Sequence, residues 1–321
     1  MIVRWGLEEL QGVLDELGVC RPFLLASARV TEVPLDPIGR WIELPTDRIA
    51  DVAAAATAAD GVVALGGGST IDTGKAVSAE TGLPLVSIPT TYSGAEWTTF
   101  FGIRDAGRLM KGGGSGANLA AIVYEPALTL GLPRPETVGT ALNALAHCAE
   151  ALYVEGRNED ADRHALAGAE LIGTWLPRVV VGEGDRLEAR TELLRGAAEG
   201  GAALGASMLA LGHAMAQALG GRYGLPHGAM NALCLPPALR FNLPVVPGEI
   251  GRFGAALGAA DPAARVEELA RLGGFEGLRQ FGVPETELDE VAESVVTRAW
   301  ALANPRSASA AEVAELLRSI W

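Results

Sequence analysis

The hydrophobic periodicity of the chain changes near residue 134, and this change constrains the fold more than any other feature. Before it, short apolar runs typical of buried strands alternate with helical segments, as in residues 61–65 followed by 70–81. After it, nearly every segment has apolar residues at helical spacing. Strands that alternate with helices predict a parallel sheet covered on both faces. We therefore predict an α/β domain followed by an all-α domain.

A length of 321 residues also favours two domains, because one hydrophobic core rarely extends beyond about 250–300 residues. We predict a cofactor-binding α/β domain over residues 1–133 and a helical substrate or metal domain over 134–321. Predicted strands cover residues 22–27, 61–65 and 84–89, a hairpin lies within 100–124, and helices cover 7–17, 49–59, 70–81, 160–175, 186–219 and 228–241, with another beginning at Pro135.

Composition excludes several classes of protein. The net charge of −14 disfavours nucleic acid and anionic membranes as partners, because both attract basic surfaces. No apolar stretch is typical of a membrane span, and the N-terminus does not resemble a signal peptide. The three cysteines are too few and too scattered for a disulfide framework. We expect a cytoplasmic protein whose partner is a small molecule.

Three of the four histidines lie in segments that indicate a shared function. His147 follows Asn143 by four residues on a predicted helix, so their side chains share a face. His213 and His227 bracket a Gly-Gly break, where the chain can turn back on itself. Neutral imidazoles are common ligands of zinc and iron, so three that converge predict a metal site. The alternative is three separately buried core histidines.

A glycine run between a predicted strand and a helix is a candidate phosphate site. It comprises Gly66, Gly67, Gly68 and Ser69, and the N–H groups at such a helix start favour a pyrophosphate. Its spacing differs from the dinucleotide-binding fingerprint, and a tight structural turn is the alternative. Asp72 and Lys75 follow in the first helical turns. Lysine occurs only at Lys75 and Lys111, which favours a phosphate contact over an ordinary surface position.

A second loop, residues 89–96, follows another predicted strand and clusters the hydroxyl groups of Thr90, Thr91 and Ser93. Ligands of open α/β sheets bind beyond the carboxyl ends of the strands, where this loop and the glycine run both emerge. We therefore expect the two loops to face one ligand. A helix cap is the alternative for these hydroxyl groups.

Together these motifs resemble the iron-containing (group III) alcohol dehydrogenase family, which has a dehydroquinate-synthase-like fold. The resemblance covers residues 7–242 and rests on the glycine-serine loop with its Asp and Lys, the Pro-Thr-Thr loop and the three histidines. Within the family, residues 89–98, 124–133 and 142–147 resemble the maleylacetate reductase branch.

The resemblance implies a homodimeric NAD(P)H-dependent reductase that transfers hydride to a carbonyl, or to a conjugated enone, of a small oxo-acid or aldehyde. It implies that His213 and His227 polarise or protonate the substrate and that His147 completes the cluster. The cofactor residues it implies are Gly66, Gly67, Gly68, Ser69, Asp72, Lys75, Thr90, Thr91, Ser93, Ser27 and Lys111. Because Ser27 stands where NAD-specific relatives have an acidic residue, we expect NADPH to be accepted as well as NADH.

A divalent metal, Fe²⁺ or Zn²⁺, on His147, His213 and His227 is left open by the residue at position 143. Asn143 stands where the metal-dependent branch has an aspartate ligand, and the branch that carries Asn there does not require a metal. A neutral amide also removes one negative charge from the site, which weakens binding of a divalent cation.

Three further positions depart from the family pattern. Gln217 replaces a second histidine, and Ala214 and Asn231 replace polar or basic residues expected near the substrate. These changes leave alternatives open: a non-redox lyase or cyclase of the same fold, a metal-dependent alcohol dehydrogenase, or a binding protein without activity.

Overall fold

The computed structural model describes residues 1–28, 33–182 and 184–321. Contacts divide the chain into two compact units, which are described separately. The first unit comprises Met1–Thr91 and Ala95–Gly131, and the second comprises Tyr92–Gly94 and Leu132–Trp321. The predicted boundary after residue 133, with a cofactor domain before it and a substrate domain after it, stays a prediction.

The first unit is built around a six-stranded sheet. Its strands are β1 (Ile2–Trp5), β2 (Pro22–Ala26), β3 (Gly39–Trp41), β4 (Gly61–Gly66), β5 (Leu85–Pro89), β6 (Phe101–Arg104), β7 (Met110–Gly114) and β8 (Leu119–Tyr124). The order in the main sheet is β1-β8-β5-β4-β2-β3, and all its neighbours are parallel. Its helices are α1 (Leu10–Leu17), α2 (Ile49–Ala55) and α3 (Gly68–Thr81), with 3₁₀ turns at Leu7–Glu9, Ala95–Trp97 and Pro126–Thr129.

The central strands are apolar along their whole length because helices cover both faces of the sheet. Successive side chains point to opposite faces, so Leu24 and Val63 pack with α1 while Phe23 and Val62 pack with α2 and α3. A fully buried parallel strand has no polar face to display, which explains the continuous apolar runs.

The region 100–124 corrects the predicted hairpin. Only β6 and β7 form an antiparallel pair. Strand β8 instead enters the main sheet between β1 and β5, because its apolar residues are buried on the sheet rather than exposed on a hairpin. The edge strands β1 and β3, which are short and half-exposed, were not predicted.

The second unit is helical. Its helices are α4 (Arg134–Ala151), α5 (Glu159–Val181), α6 (Arg186–Ala206), α7 (Leu211–Tyr223), α8 (His227–Asn242), α9 (Pro247–Ala256), α10 (Pro262–Leu272), α11 (Leu288–Val296), α12 (Ala299–Leu302) and α13 (Ala310–Arg318), with 3₁₀ turns at Leu278–Phe281 and Glu285–Glu287. A parallel α/β sheet followed by a helical region confirms the predicted fold class.

The helix predicted over 186–219 is interrupted between α6 and α7. The interruption occurs because side chains from elsewhere replace the helical hydrogen bonds: the Glu150 carboxylate accepts the N–H of Ala210, and the Asn304 amide oxygen accepts the N–H of Leu211. A buried side-chain cap lets a helix begin again where periodicity alone predicts continuation.

Among the described residues, no single helix has the length and apolar character needed to cross a membrane. One pair of consecutive helices, α6 and α7, meets that criterion jointly by length and composition, and it is bent by 102°.

Glycines allow the long helices of the second unit to pack closely. A Cβ atom at Gly200 of α6 would lie 2.6 Å from the backbone oxygen of Ala144 on α4. Backbone atoms cannot move aside as a flexible side chain can, so the absence of a side chain at Gly200 sets the distance between α4 and α6. Helix α4 also carries His147, and this contact therefore helps to hold one of the candidate site residues.

We expect Gly200→Ala to lower the free energy of unfolding by about 1–3 kcal/mol, because the added methyl overpacks a rigid contact. The matched control is Gly251→Ala on α9, where a Cβ atom meets nothing within 4 Å. That change should raise stability by about 0.5–1 kcal/mol through helix propensity. Urea unfolding measures both, and equal stability of Gly200→Ala and wild type would contradict the close contact.

Candidate active site

The three histidines lie together in the second unit. The ring centroids of His147 and His213 are 4.9 Å apart with the rings nearly parallel, and those of His213 and His227 are 5.9 Å apart. The rings come from three helices, α4, α7 and α8. His147 and His213 are buried, while His227 at the start of α8 is half-buried.

A buried carboxylate holds His213. The Oε2 atom of Glu150 lies 2.7 Å from Nδ1 of His213, and the two side chains are 0% and 1% exposed. The backbone N–H of His213 donates to the other carboxylate oxygen at 3.2 Å. The sequence interpretation missed Glu150. An acidic residue among the alanines and leucines of an apolar helix was the signal that could have revealed it.

A chain of amides surrounds the other two histidines. Asn143 donates from Nδ2 to the Ser93 carbonyl oxygen at 2.8 Å, and its Oδ1 accepts from Nδ2 of Asn231 at 2.5 Å. Nδ2 of Asn231 also lies 3.0 Å from Nε2 of His227. Since a backbone carbonyl can only accept, it fixes the orientation of Asn143 and, in turn, that of Asn231. Nε2 of His227 therefore accepts, and Nδ1 of its neutral ring carries the proton.

His147 is held as a neutral ring. Burial lowers its pKa well below the ordinary value, because a cation loses its hydration there, and the nearby rings of His213 and His227 lower it further. Its Nδ1 atom packs against the loop: a Cβ atom at Gly94 would lie 3.3 Å from this nitrogen and 3.1 Å from Cα of Gly201. Gly94 also has a φ of +71°, so glycine is favoured there on both grounds.

Several buried polar atoms of this cluster have no hydrogen-bond partner within the described ranges. They are Ser93 Oγ, His147 Nδ1, His213 Nε2 and Asn231 Oδ1. Buried polar groups in folded proteins are nearly always satisfied, and exceptions call for a ligand or water. Four such atoms around one group of imidazoles indicate a binding site for a polar small molecule.

In the first unit, the glycine run forms the start of α3, which begins at Gly68 rather than at the predicted residue 70. No side chain caps this helix start. Cβ atoms at Gly66 and Gly67 would lie 2.5 Å from Thr70 Oγ1 and 3.1 Å from Thr91 Cγ2. The Thr91 hydroxyl is buried without a partner within the described ranges. An open helix start beside an unsatisfied hydroxyl fits a pyrophosphate.

The ammonium group of Lys75 is used inside the first unit. It is 1% exposed and donates to the carbonyl oxygens of Ala95 and Phe100, both at 2.7 Å. It also pairs with Asp72 at 2.9 Å. With three donors and three such acceptors, Lys75 has none left for a phosphate. The predicted phosphate contact of Lys75 is wrong in this arrangement, because the side chain ties the segment after the Thr91 loop to α3.

Other predicted residues have the following surroundings. Asp72 accepts from the backbone N–H of Gly102 as well as from Lys75. Lys111 is on strand β7, partly exposed, and pairs with Asp105 at 2.9 Å. Ser27 follows the carboxyl end of β2, where Arg40 donates to its carbonyl oxygen at 2.9 Å. The backbone N–H of Thr90 donates to the Gly66 carbonyl oxygen.

Family comparisons agree with this arrangement. A model of the Fe-containing alcohol dehydrogenase family, C-terminal, matches residues 137–321, and a model for iron-containing alcohol dehydrogenase matches residues 43–124. The chain belongs to the iron-containing alcohol dehydrogenase family. This confirms the resemblance that the motifs predicted.

Named relatives cover almost the whole chain. It is 37% identical over 284 residues to maleylacetate reductase of Burkholderia cepacia, covering 88% of this chain and 79% of the relative. It is 35% identical over 339 residues to maleylacetate reductase 1 of Rhodococcus opacus, covering 99% and 94%. The crystal structure of maleylacetate reductase from Agrobacterium tumefaciens matches with a TM-score of 0.89 and 28% identity, covering 100% and 95%.

Family membership and these relatives make the chain an NAD(P)H-dependent oxidoreductase that acts on a small molecule. They do not favour the alternatives of a lyase or cyclase, or of a metal-dependent alcohol dehydrogenase. The family also implies a divalent metal as a cofactor.

The donor atoms at the histidine cluster do not fit such a metal as they are arranged. A ligand must offer an electron pair, and the Asn231 amide already donates to Asn143 Oδ1 and to His227 Nε2. Throughout the described parts of the chain, no group of three or more His, Cys, Asp or Glu side chains is arranged to hold a metal ion. The chemistry is therefore derived from the side chains alone.

We expect Asn231→Ala to lower the free energy of unfolding by about 1–3 kcal/mol, because Asn143 Oδ1 and His227 Nε2 both lose a buried donor. The matched control is Asn118→Ala, whose exposed amide makes one long hydrogen bond of 3.4 Å and should change stability by no more than about 0.5 kcal/mol. Equal unfolding midpoints for the two variants would contradict the amide chain.

Proposed function

We propose that the chain reduces maleylacetate, or an enedioate closely similar to it, at the carbon–carbon double bond conjugated with its ketone. The observation that carries the proposal is the cluster of three imidazoles with four unsatisfied polar atoms around it. Maleylacetate reductases that align over most of the chain supply the substrate class.

The chemistry of such a substrate explains why imidazoles suit the site. When bound, NAD(P)H supplies the hydride. The hydride adds to the alkene carbon two bonds from the ketone carbon, the electron pair of the double bond moves toward the ketone oxygen, and an enolate results. A proton must then reach the carbon next to the ketone. Donors placed at the oxygen lower the energy of the enolate.

The histidines are proposed to share this work. His213 and His227 polarise the ketone oxygen or supply the proton, and His147 completes the wall of the site as a neutral ring. The low pKa of His147 supports a hydrogen-bonding role rather than a cationic one. Unsatisfied nitrogens on His147 and His213 give a substrate oxygen two atoms to contact.

For the cofactor, we propose that Gly66, Gly67, Gly68 and Ser69 hold the pyrophosphate. The uncapped start of α3 and the unsatisfied Thr91 hydroxyl support this assignment. The remaining predicted cofactor residues, Asp72, Thr90, Thr91, Ser93, Ser27 and Lys111, stay with the proposal. A homodimer, a cytoplasmic location and the absence of nucleic acid or membrane partners also remain proposals, the last supported by the net charge of −14.

The direct test is turnover. Mixing the protein with NADPH or NADH and maleylacetate should consume the reduced cofactor and yield the saturated 3-oxo dicarboxylate in equal amount. His213→Asn should lower kcat by about 10²–10⁴-fold, because a positioned proton donor contributes that much. Wild-type protein stripped of divalent metal should keep its activity. Absence of cofactor consumption by wild type would refute the proposed reaction, and loss of activity on metal removal would refute the side-chain chemistry.

Cofactor preference gives a second test, at position 27. Wild type should bind NADPH as well as NADH, since Ser27 brings no negative charge to the 2′-phosphate. Ser27→Asp should weaken NADPH binding by about tenfold, which is about 1.4 kcal/mol, and leave NADH binding intact. Ser27→Asn, of equal size but neutral, is the control and should retain NADPH. Fluorescence titration measures all three, and wild type that binds NADH alone would contradict the assignment.

A further inference from the structure

We propose that Glu150 is a positioning residue that fixes the ring of His213 and makes it the proton donor of the cluster. The inference rests on the proposed reduction and assigns one of its steps to one histidine. Glu150 is fully buried, it lies on α4 three residues after His147, and it contacts the start of α7, which carries His213.

The carboxylate is held from several directions. Oε2 accepts the N–H of Ala210 at 2.7 Å and faces Nδ1 of His213 at 2.7 Å, while Oε1 accepts the backbone N–H of His213 at 3.2 Å. Each of these atoms belongs to the first turn of α7 or the residue before it, where free N–H groups favour negative charge. The side chain therefore has one orientation available to it.

This contact determines which nitrogen of His213 is left for chemistry. A carboxylate accepts the Nδ1 proton, so the electron pair of the neutral ring lies on Nε2. Nε2 is buried and has no hydrogen-bond partner among the described residues. When the ring is protonated, the second proton is on Nε2 and the carboxylate balances the added positive charge.

The other two rings are held differently. The Nε2 electron pair of His227 receives the Asn231 amide at 3.0 Å. His147 is kept neutral because burial lowers its pKa. Three similar residues therefore have three unlike environments, and the carboxylate contact distinguishes His213 from its neighbours.

The proton-transfer step then balances. The N–H bond at Nε2 of His213 breaks, its electron pair stays on the nitrogen, and the electron pair of the enolate forms the new C–H bond next to the ketone. His213 ends neutral with Nδ1–H still donated to Glu150. The carboxylate itself takes up no proton.

A purely structural role as a helix cap is the competing explanation, because Glu150 also satisfies backbone N–H groups of α7. A double-mutant cycle separates the two roles. Glu150→Gln, His213→Asn and the double variant are compared in kcat, KM, NADPH affinity and thermal unfolding. A residue that acts through His213 has no catalytic effect once His213 is replaced.

We expect Glu150→Gln to lower kcat by about 10–100-fold with KM and NADPH affinity nearly unchanged, the size reported for partners that orient a functional histidine. Added to His213→Asn, it should change kcat by less than about twofold. Glu199→Gln is the matched control: Glu199 pairs with His164 at 2.5 Å on a partly exposed surface, and its loss should leave kcat unaltered. Wild-type kcat in Glu150→Gln, or losses that multiply in the double variant, would overturn the proposal.

A second measurement does not depend on the folding of any variant. Nitrogen NMR of wild type with ¹⁵N-labelled histidine reports which ring nitrogen is protonated, and His213→Asn assigns the signal. The neutral ring of His213 should carry its proton on Nδ1, and a proton on Nε2 would overturn the proposal even if maleylacetate is reduced. Conversely, failure of wild type to reduce maleylacetate would refute the proposed function while leaving the tautomer of His213 as observed.

Discussion

The buried carboxylate of Glu150 is the interaction on which the second unit depends. An unpaired carboxylate inside a protein costs several kcal/mol, so its burial is tolerated only where donors surround it. Here the donors are backbone and ring N–H groups at the start of α7. The same contacts that satisfy the charge interrupt the helical run after Ala206 and orient His213. Local structure and the geometry of the site thus have one cause.

A second constraint comes from the carbonyl oxygen of Ser93. It fixes the Asn143 amide, which fixes Asn231, which in turn occupies His227 Nε2. Substituting Asn for a carboxylate at position 143 therefore does more than remove a charge. It converts an electron-pair donor into part of a hydrogen-bonded chain, and the imidazoles beside it become hydrogen-bonding groups rather than metal ligands.

The parts of the molecule that follow from hydrophobic periodicity could be predicted from sequence. The central strands β2, β4 and β5 are continuous apolar runs, and the switch to helical spacing marked the second unit. The convergence of His147, His213 and His227 was predictable from their scarcity and the motifs around them.

What could not be predicted depends on contacts between distant residues. The break before α7 needs Glu150 and Asn304, which lie 60 and 93 residues from the N–H groups they accept. The phosphate contact assigned to Lys75 was wrong because the carbonyl oxygens of Ala95 and Phe100, far along the chain, use its donors. The edge strands β1 and β3 are too short for periodicity to show.

Transfer of deuterium from NADPH labelled at the reactive carbon of the nicotinamide tests the central claim most directly. With maleylacetate as substrate, the position of the label in the product can be read by NMR. Reduction of the conjugated double bond predicts deuterium on the carbon two bonds from the ketone carbon, with a solvent-derived proton next to the ketone. Deuterium on a carbon that bears a hydroxyl group would show carbonyl reduction instead and contradict the account.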